Sequence, residues 1–258
     1  MTEFSETPPP IAPREILYQG FHNKMCEVTS QTTDVARIGE IEKSVGTEYG
    51  DTDPQGDMKA WLNAGVTRKF DSVSFAGNPQ TQKQMMVGVS EASAPTDEIV
   101  MAARNTDNRI DGYTLTYRSP ANEALLPEEL ATMNASVPFM REVSYVTDTP
   151  DAERNHVQVA EAFVGTSLVL AERALGREPH QFTGEFTAEE IAQVDALLKL
   201  YSIPGAGDDE ANYRKGLELA GFKNYGEFTD PSEEGTFLAY SASFADITSF
   251  QTRRAATQ

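Results

Sequence analysis

The clearest pattern in the chain is a series of apolar residues spaced three or four apart between positions 157 and 175. Val157, Val164, Leu168 and Leu175 belong to this series, and Gly176 follows its last member. The spacing matches one α-helical turn of about 3.6 residues, and a glycine in this place is a common way to end a helix. The sequence therefore predicts a long apolar helix from Val157 to Leu175.

A second helix is marked by its N-terminal signal. Thr187 and Glu190 have the spacing of a capping box, which is typical of a helix start. Apolar positions continue at helical spacing through Leu198 to Tyr201, and Pro204 with its following glycine ends the segment. We therefore expect a helix that includes Leu198 and Tyr201. Further helices are predicted at 32–46, 57–64, 128–133 and 210–220.

Strand patterns occupy much of the remaining chain. Segments 98–103 and 110–117 are separated by the turn composition of residues 105–108 and form a predicted hairpin. Residues 66–84 have no clear period and are predicted to be a surface loop or a frayed hairpin. Further strands are predicted at 85–89, 142–147, 222–228 and 236–244. This order predicts a mixed α/β (α+β) fold, in which one mainly antiparallel sheet is flanked by helices.

Composition is that of an ordinary globular protein, with 258 residues of which 39% are hydrophobic and 24% charged. Residues 1–20 are rich in proline and are expected to form a flexible arm before a single domain at 21–258. The N-terminus lacks the apolar stretch of a signal peptide, so we expect a cytoplasmic protein. The single Cys26 excludes an intramolecular disulfide.

The chain carries 40 acidic and 21 basic residues, for a net charge of −19. Such a charge repels nucleic acids and anionic membranes and attracts cations, including amines. The acidic residues are spread along the sequence, which favours a solvated surface over one acidic binding patch. We therefore expect neither a nucleic acid nor a membrane as partner, and the oligomeric state stays open.

The strand at 142–147 is followed by a turn with one arginine and then by the long helix. This order is how proteins build a pyrophosphate site, because the first backbone N–H groups of the helix and the positive end of its dipole face the turn. Residues 151–160, however, contain no glycine. A glycine permits the backbone to approach a phosphate closely, whereas a β-branched side chain obstructs that approach.

Several segments occur in an order that is characteristic of one enzyme family. Residues 98–104 and 109–113 correspond to its second and third strands, with Gly112 in the third. Residues 141–146 correspond to its fourth strand, and residues 217–222 end in the sequence Gly-Phe that joins a helix to the next strand. From about residue 27 to residue 244, the chain resembles the GNAT superfamily of N-acetyltransferases.

The resemblance implies an acyl-CoA co-substrate, most simply acetyl-CoA, whose diphosphate binds in the turn after the fourth strand. Arg154 takes the basic position of the family pattern, while Val157 and Val159 stand where the pattern has glycines. The backbone N–H near Tyr145 or Val146 would polarise the thioester carbonyl. The residues that this assignment places at the cofactor are Tyr145, Val146, Arg154, Asn155, His156, Val157, Gln158 and Val159. The alternative is that Arg154 and Asn155 are simply the start of a helix.

The resemblance also implies catalytic residues. Glu142 is expected to open the fourth strand and to deprotonate the amine that attacks the thioester directly. The family's tyrosine that protonates the departing thiolate corresponds to Leu217, and Tyr213 is the substitute one turn earlier, unless it only packs. The acidic segments 51–57 and 208–210 would favour a cationic acceptor, either a small molecule or a peptide amine. No metal is expected, because the calcium-like segment 51–62 ends in Leu62 instead of a glutamate.

Two other functions compete with an N-acyltransferase. The first is a GNAT-like binding module that has lost catalysis, which Val157, Val159 and Leu217 favour. The second is a viral or structural protein that shares only the α/β layers, which the long connections at 66–84 and 119–138 favour. Thermal stability with and without acetyl-CoA separates an acyl-CoA enzyme from both, because a ligand stabilises the folded state that binds it.

Overall fold

The computed structural model describes residues 139–177, 186–229 and 236–250, six strands before residue 119, and single helical positions at 37, 40, 41 and 255. Arg37, Glu40 and Ile41 are helical, as predicted for this segment. The rest of the predicted helix at 32–46, the predicted helices at 57–64 and 128–133, and the acidic segment 51–57 lie outside the described residues. None of the described helices is long and apolar enough to cross a lipid bilayer.

Ten strands in two sheets are formed by the residues that the structure describes. They are β1 (Arg14–Ile16), β2 (Lys24–Glu27), β3 (Arg68–Ser74), β4 (Gln84–Val89), β5 (Ile99–Arg104), β6 (Ile110–Arg118), β7 (Phe139–Val146), β8 (Leu198–Ser202), β9 (Lys223–Phe228) and β10 (Phe237–Ala242). The large sheet has the order β1-β2-β5-β6-β7-β8-β10-β9, and β3 pairs with β4 separately. Every pairing is antiparallel except that of β7 with β8. The predicted mixed fold with a mainly antiparallel sheet is confirmed.

The strands before residue 119 bear on three predictions. Three residues of the predicted arm form β1, which pairs with β2 at the edge of the large sheet. At 66–84 the hairpin is found rather than the loop, because β3 pairs with β4. The predicted hairpin of β5 and β6 is confirmed, with Ile99 opposite Thr116.

Four helices are described: α1 (His156–Ala174), α2 (Ala188–Leu197), α3 (Ala211–Ala220) and α4 (Phe244–Thr248). The long helix predicted from apolar spacing is α1, and Gly176 has a left-handed φ of 71° just beyond it. Residues 159–172 are buried on every side of the helix, since α1 lies between the sheet and the helices α3 and α4. The predicted capping box of Thr187 and Glu190 starts α2, and Gly221 ends α3 with a φ of 110°.

The prediction that the second helix continues to Tyr201 is wrong. Helix α2 ends at Leu197, and Leu198 already has extended backbone angles, with φ −140° and ψ 130°. Leu198 to Ser202 then form β8, which runs parallel to β7 and antiparallel to β10. No glycine or proline separates the two elements, so the apolar spacing alone gave no reason to end the helix. Pairing with strands on both sides determines the extended conformation.

The C-terminal strand is shorter than the predicted segment 236–244. It ends at Ala242, and α4 begins at Phe244, a helix that the sequence analysis missed. Ser243 caps this helix, because its Oγ accepts a hydrogen bond from the N–H of Asp246 at 3.1 Å. Asp246 in turn accepts hydrogen bonds from Ser243 Oγ at 2.6 Å and from Lys223 Nζ at 3.1 Å. The helix start is thereby tied to β9.

The contribution of Asp246 to stability is expected to depend on pH. Burial acts to raise the pKa of Asp246, but hydrogen bonds from Ser243 and Lys223 outweigh it and hold the pKa below its usual 3.8. Its stabilising effect is therefore present at neutral pH and is lost as pH falls through the lowered pKa. Asp246→Asn should lower the free energy of unfolding at pH 7 by less than about 1 kcal/mol, since the pair with Lys223 is largely exposed.

Urea denaturation of Asp246→Asn and the unmodified protein at pH 7 and pH 3 measures this difference. The difference between the two proteins should be smaller at pH 3 than at pH 7. An equal difference at both values would mean that the charge of Asp246 does not stabilise α4.

Candidate functional site

The two parallel strands β7 and β8 part from each other along their length. Their pairing begins at Phe139 with Leu198 and ends at Glu142 with Tyr201. Beyond that point β7 continues to Val146, paired only with β6, while β8 ends at Ser202. A gap therefore opens between the two strands. The second member of this pair is β8, the strand that was not predicted from the sequence.

The side chain of Tyr213, from α3, fills the gap. Its hydroxyl accepts a hydrogen bond from the N–H of Tyr145 on β7 at 3.1 Å and shares another with Ser202 Oγ on β8 at 3.2 Å. Its ring packs edge-on against Phe163 of α1, with ring centroids 5.5 Å apart. Burial raises the pKa of Tyr213 well above its ordinary value, so the hydroxyl stays protonated. The ring of Tyr213 therefore packs in the core with its hydroxyl at the gap, and its role as a proton donor stays a prediction.

Glu142 lies where the gap begins. It is the fourth residue of β7, so the prediction that it opens the strand is wrong. Ser144 Oγ donates a weak hydrogen bond of 3.5 Å to Glu142 Oε1, which places both side chains on one face of the strand. Burial is the largest cause of the raised pKa of Tyr213, and the negative charges of Glu210 and Glu142 also act to raise it. The carboxylate of Glu142 is therefore close enough to influence the hydroxyl electrostatically.

Tyr145 contributes its backbone to the gap and its ring to the core. A Cβ atom at Gly112 of β6 would lie only 2.6 Å from Tyr145 Cζ and 2.7 Å from the carbonyl oxygen of Val146. Glycine at position 112 therefore permits the ring of Tyr145 to lie across β6. This explains the glycine noted in the third strand by a packing requirement.

The turn after β7 holds the start of α3. Asp151 accepts hydrogen bonds from the backbone N–H of Asn212 at 2.8 Å and of Tyr213 at 3.0 Å. Asn212 Nδ2 also donates to the carbonyl oxygen of Asp151 at 2.7 Å. Helix α3 has no side-chain cap of its own, since Glu210 at its N-cap position makes no capping hydrogen bond. Asp151 supplies the missing cap from another part of the chain.

The side chain of Arg154 contacts both Asp151 and Tyr213. Its guanidinium pairs with Asp151 Oδ1 at 3.4 Å and donates to the carbonyl oxygen of Thr149 at 3.2 Å. It also lies 5.8 Å from the ring centroid of Tyr213, within the range of a cation–π contact. Its Nε is buried and has no hydrogen-bond partner among the described residues. The described contacts of Arg154 therefore join the turn to α3.

The first turn of α1 satisfies part of its own hydrogen-bonding capacity. Asn155 caps the helix, because its Oδ1 accepts a hydrogen bond from the N–H of Val157 at 2.9 Å. The N–H of Val159 donates to the carbonyl oxygen of Asn155 at 3.1 Å. His156, Val157 and Gln158 are half-buried at this helix end. An anion at this end would compete with the side chain of Asn155 for the N–H of Val157.

Val159 is buried against α3 instead of lying in the gap. A Cβ atom at Gly216 of α3 would lie 2.6 Å from Val159 Cγ1 and 3.1 Å from the carbonyl oxygen of His156. Gly216 in α3, which has no side chain, therefore leaves the space that the side chain of Val159 in α1 occupies. Val159 therefore packs between α1 and α3, and Val157 also packs against the core.

The structure brings Glu142, Tyr145, Arg154 and Tyr213 together around the gap, while residues 155–159 form the adjacent helix start. Val146 is half-buried at the end of β7. Sequence analysis missed Asp151, Ser202 and Gly216. Only Gly216 carried a signal, because a glycine inside a helical pattern often marks close packing. Within the described part of the chain, no group of side chains is suited to hold a metal ion.

No protein-family model and no curated protein matches the chain. Solved structures similar to it include AAC(6')-Ib in complex with ribostamycin and coenzyme A, at 12% identity and a TM-score of 0.47, covering 86% of this chain and 93% of that chain. A spermidine N-acetyltransferase chimera from Vibrio cholerae is 8% identical, with a TM-score of 0.46 and coverage of 88% and 98%.

A GNAT-family acetyltransferase from Bacillus anthracis is also similar, at 9% identity and a TM-score of 0.43, covering 90% of this chain and 99% of that chain. The family of the Bacillus anthracis structure is the one that the sequence resembles.

Proposed function

We propose that the protein is an acyl-CoA-dependent N-acyltransferase, which transfers an acyl group, most simply acetyl, to an amine. The observation that carries this proposal is the N–H of Tyr145, which donates at the gap to the hydroxyl oxygen of Tyr213. A fixed backbone donor in a buried gap can polarise a thioester carbonyl as an oxyanion hole does. The hydroxyl of Tyr213 accepts from it, and Glu142 lies three residues earlier on the same strand.

The reaction assigns each of these groups a task. The amine attacks the carbonyl carbon, so that a C–N bond forms and the C–S bond breaks, while the carbonyl oxygen accepts from Tyr145 N–H, with Val146 alongside. Glu142 removes a proton from the ammonium so that its nitrogen has a lone pair. Burial keeps Tyr213 protonated, so it stabilises the leaving sulfur by donating a hydrogen bond. Nitrogen loses a second proton as the amide forms, and this proton ends on the thiolate, while Glu142 releases the first proton to solvent.

The diphosphate of the coenzyme would bind at the start of α1. The N–H groups of residues 156–158, which precede the first intrahelical hydrogen bond, and the positive end of the helix dipole face this position. The diphosphate would displace Asn155 Oδ1 from the N–H of Val157, and Arg154 would add positive charge behind the turn. The chemistry of this donor set fits an anion. An amine acceptor, whether a small molecule or a peptide, fits the net charge of −19.

Asn155→Asp tests where the diphosphate binds. Aspartate keeps the cap, and its charge at the helix N-terminus should leave the unliganded protein as stable or more stable by about 0.3–1 kcal/mol. The same charge repels a diphosphate, so the dissociation constant for acetyl-CoA should rise by about tenfold or more. Thermal unfolding with and without millimolar acetyl-CoA, together with titration calorimetry, measures both effects.

Opposite changes in stability and affinity cannot arise from simple unfolding of the site. An unmodified protein whose melting temperature does not respond to acetyl-CoA or CoA would refute the proposed function. If Asn155→Asp and the unmodified protein bind acetyl-CoA with equal affinity, the diphosphate does not bind at this helix end.

A GNAT-like module that binds without catalysis is the second candidate. Leu217, which stands where the family has its proton-donating tyrosine, is fully buried in the core and has no proton to give. Release of free CoA thiol from acetyl-CoA in the presence of amines distinguishes the two functions. Binding without release would favour the module.

A further inference from the structure

The N–H of Tyr145 already has a hydrogen-bond acceptor in the structure, which is the hydroxyl oxygen of Tyr213 at 3.1 Å. A backbone N–H carries one hydrogen and makes one well-directed hydrogen bond. A thioester carbonyl and the Tyr213 hydroxyl therefore cannot both accept fully from it. Each acceptor is an oxygen atom, so the hydroxyl takes the place that the carbonyl would need.

The position of the Tyr213 hydroxyl is determined by the backbone of α3. Asp151 accepts from the N–H of Tyr213 at 3.0 Å and pairs with Arg154, whose guanidinium lies over the tyrosine ring. The contact of Gly216 with Val159 brings α3 close to α1. These contacts hold the backbone and the ring of Tyr213. A rotation of the side chain alone therefore does not move the hydroxyl out of the gap.

The hydroxyl nevertheless has a second partner. Ser202 Oγ lies 3.2 Å from it, and either oxygen can donate to the other. A thioester carbonyl that takes the N–H of Tyr145 would leave the hydroxyl bonded to Ser202, with its proton free to turn toward the gap. The exchange costs one hydrogen bond and gains one, so the acyl carbonyl brings little net affinity.

We infer that Tyr213 is an internal latch on the acyl site: in the unliganded protein its hydroxyl takes the N–H of Tyr145, and acyl-CoA binding exchanges this hydroxyl for the thioester carbonyl. This inference rests on the proposed function. It assigns the site a specific property, which is that the protein without substrate discriminates poorly between acetyl-CoA and free CoA, because only the former carries the competing carbonyl.

Tyr213→Phe removes the competing oxygen and keeps the ring. The variant should bind acetyl-CoA about fivefold more tightly than the unmodified protein, because the hydroxyl oxygen that competes with the thioester carbonyl for the N–H of Tyr145 is absent. Its affinity for CoA should not change. In the unmodified protein, acetyl-CoA and CoA should bind with affinities within about threefold of each other. Isothermal titration calorimetry with the two probes measures all four constants.

Tyr240→Phe is a matched control. Tyr240 is also buried, but its hydroxyl donates to Glu218 at 3.2 Å, so its loss should leave both affinities unchanged. Weaker or equal binding of acetyl-CoA by Tyr213→Phe would overturn the latch and leave the proposed function standing. So would a preference for acetyl-CoA of about tenfold or more in the unmodified protein, a measurement that needs no variant. Absence of binding of both probes to both proteins would refute the proposed function and the latch together.

Discussion

Gly216→Val is expected to lower the free energy of unfolding by about 3 kcal/mol, because α1 and α3 leave no room for a side chain at this position. A Cβ atom there would lie 2.6 Å from Val159 Cγ1, 2.7 Å from Val159 Cβ and 3.1 Å from the carbonyl oxygen of His156. Glycine is a weak helix former, so valine gains a few tenths of a kcal/mol, about a tenth of the expected cost. The steric effect therefore decides the sign, and urea denaturation measures it.

Exchanging the two residues tests the reason for this cost. Val159→Gly combined with Gly216→Val conserves the total volume and places a glycine where the GNAT pattern has one. The double variant should be more stable than the sum of the two single effects predicts, by about 1–3 kcal/mol. A double-mutant cycle with no coupling would show that Val159 does not account for the glycine in α3.

Local signals in the sequence predicted the elements that depend on local interactions. Apolar spacing identified α1, the Thr187 and Glu190 pair identified the start of α2, and Gly221 identified the end of α3. In each case the information lies within a few residues, as periodicity or a cap. The turn with Arg154 was also found, because a strand followed by a turn and a helix is a local pattern.

The strand β8 could not be predicted in this way. Its residues continue the apolar spacing of α2, and their extended conformation depends on β7 and β10, which lie far away in the sequence. Missing β8 meant missing Ser202 and the gap itself. The contact between Tyr145 and Tyr213 has the same origin, since it joins residues 68 positions apart. Both tyrosines were predicted site residues, but the hydrogen bond between them was not predicted.

The turn without a glycine shows a third kind of difficulty. Val159 stands where a GNAT pattern has glycine, and a local argument treats its side chain as an obstruction to phosphate. In the structure that side chain is buried against Gly216, and the capping side chain of Asn155 accepts from the Val157 N–H instead. Val159 in α1 packs against Gly216 in α3, and this contact is visible only in the three-dimensional structure.

Asp151→Ala is expected to lower the free energy of unfolding by about 3–5 kcal/mol, the largest effect of any substitution discussed, because it removes one partner of a buried ion pair. The side chain of Asp151 is 7% exposed and that of Arg154 is 16% exposed. The change leaves Arg154 without its carboxylate and takes the cap from the N–H groups of Asn212 and Tyr213. Urea denaturation at neutral pH measures the loss.

Asp148→Ala is the matched control, with the same change three positions earlier in the same turn. Asp148 also pairs with an arginine, Arg37, at 2.9 Å, but their side chains are 28% and 38% exposed, so its loss should cost less than about 1 kcal/mol. The ratio of the two effects separates a buried capping pair from a surface pair. If Asp151→Ala costs no more than Asp148→Ala, then Asp151 does not hold the start of α3, and the hydroxyl of Tyr213 must owe its place in the gap to Ser202 and the ring contacts alone.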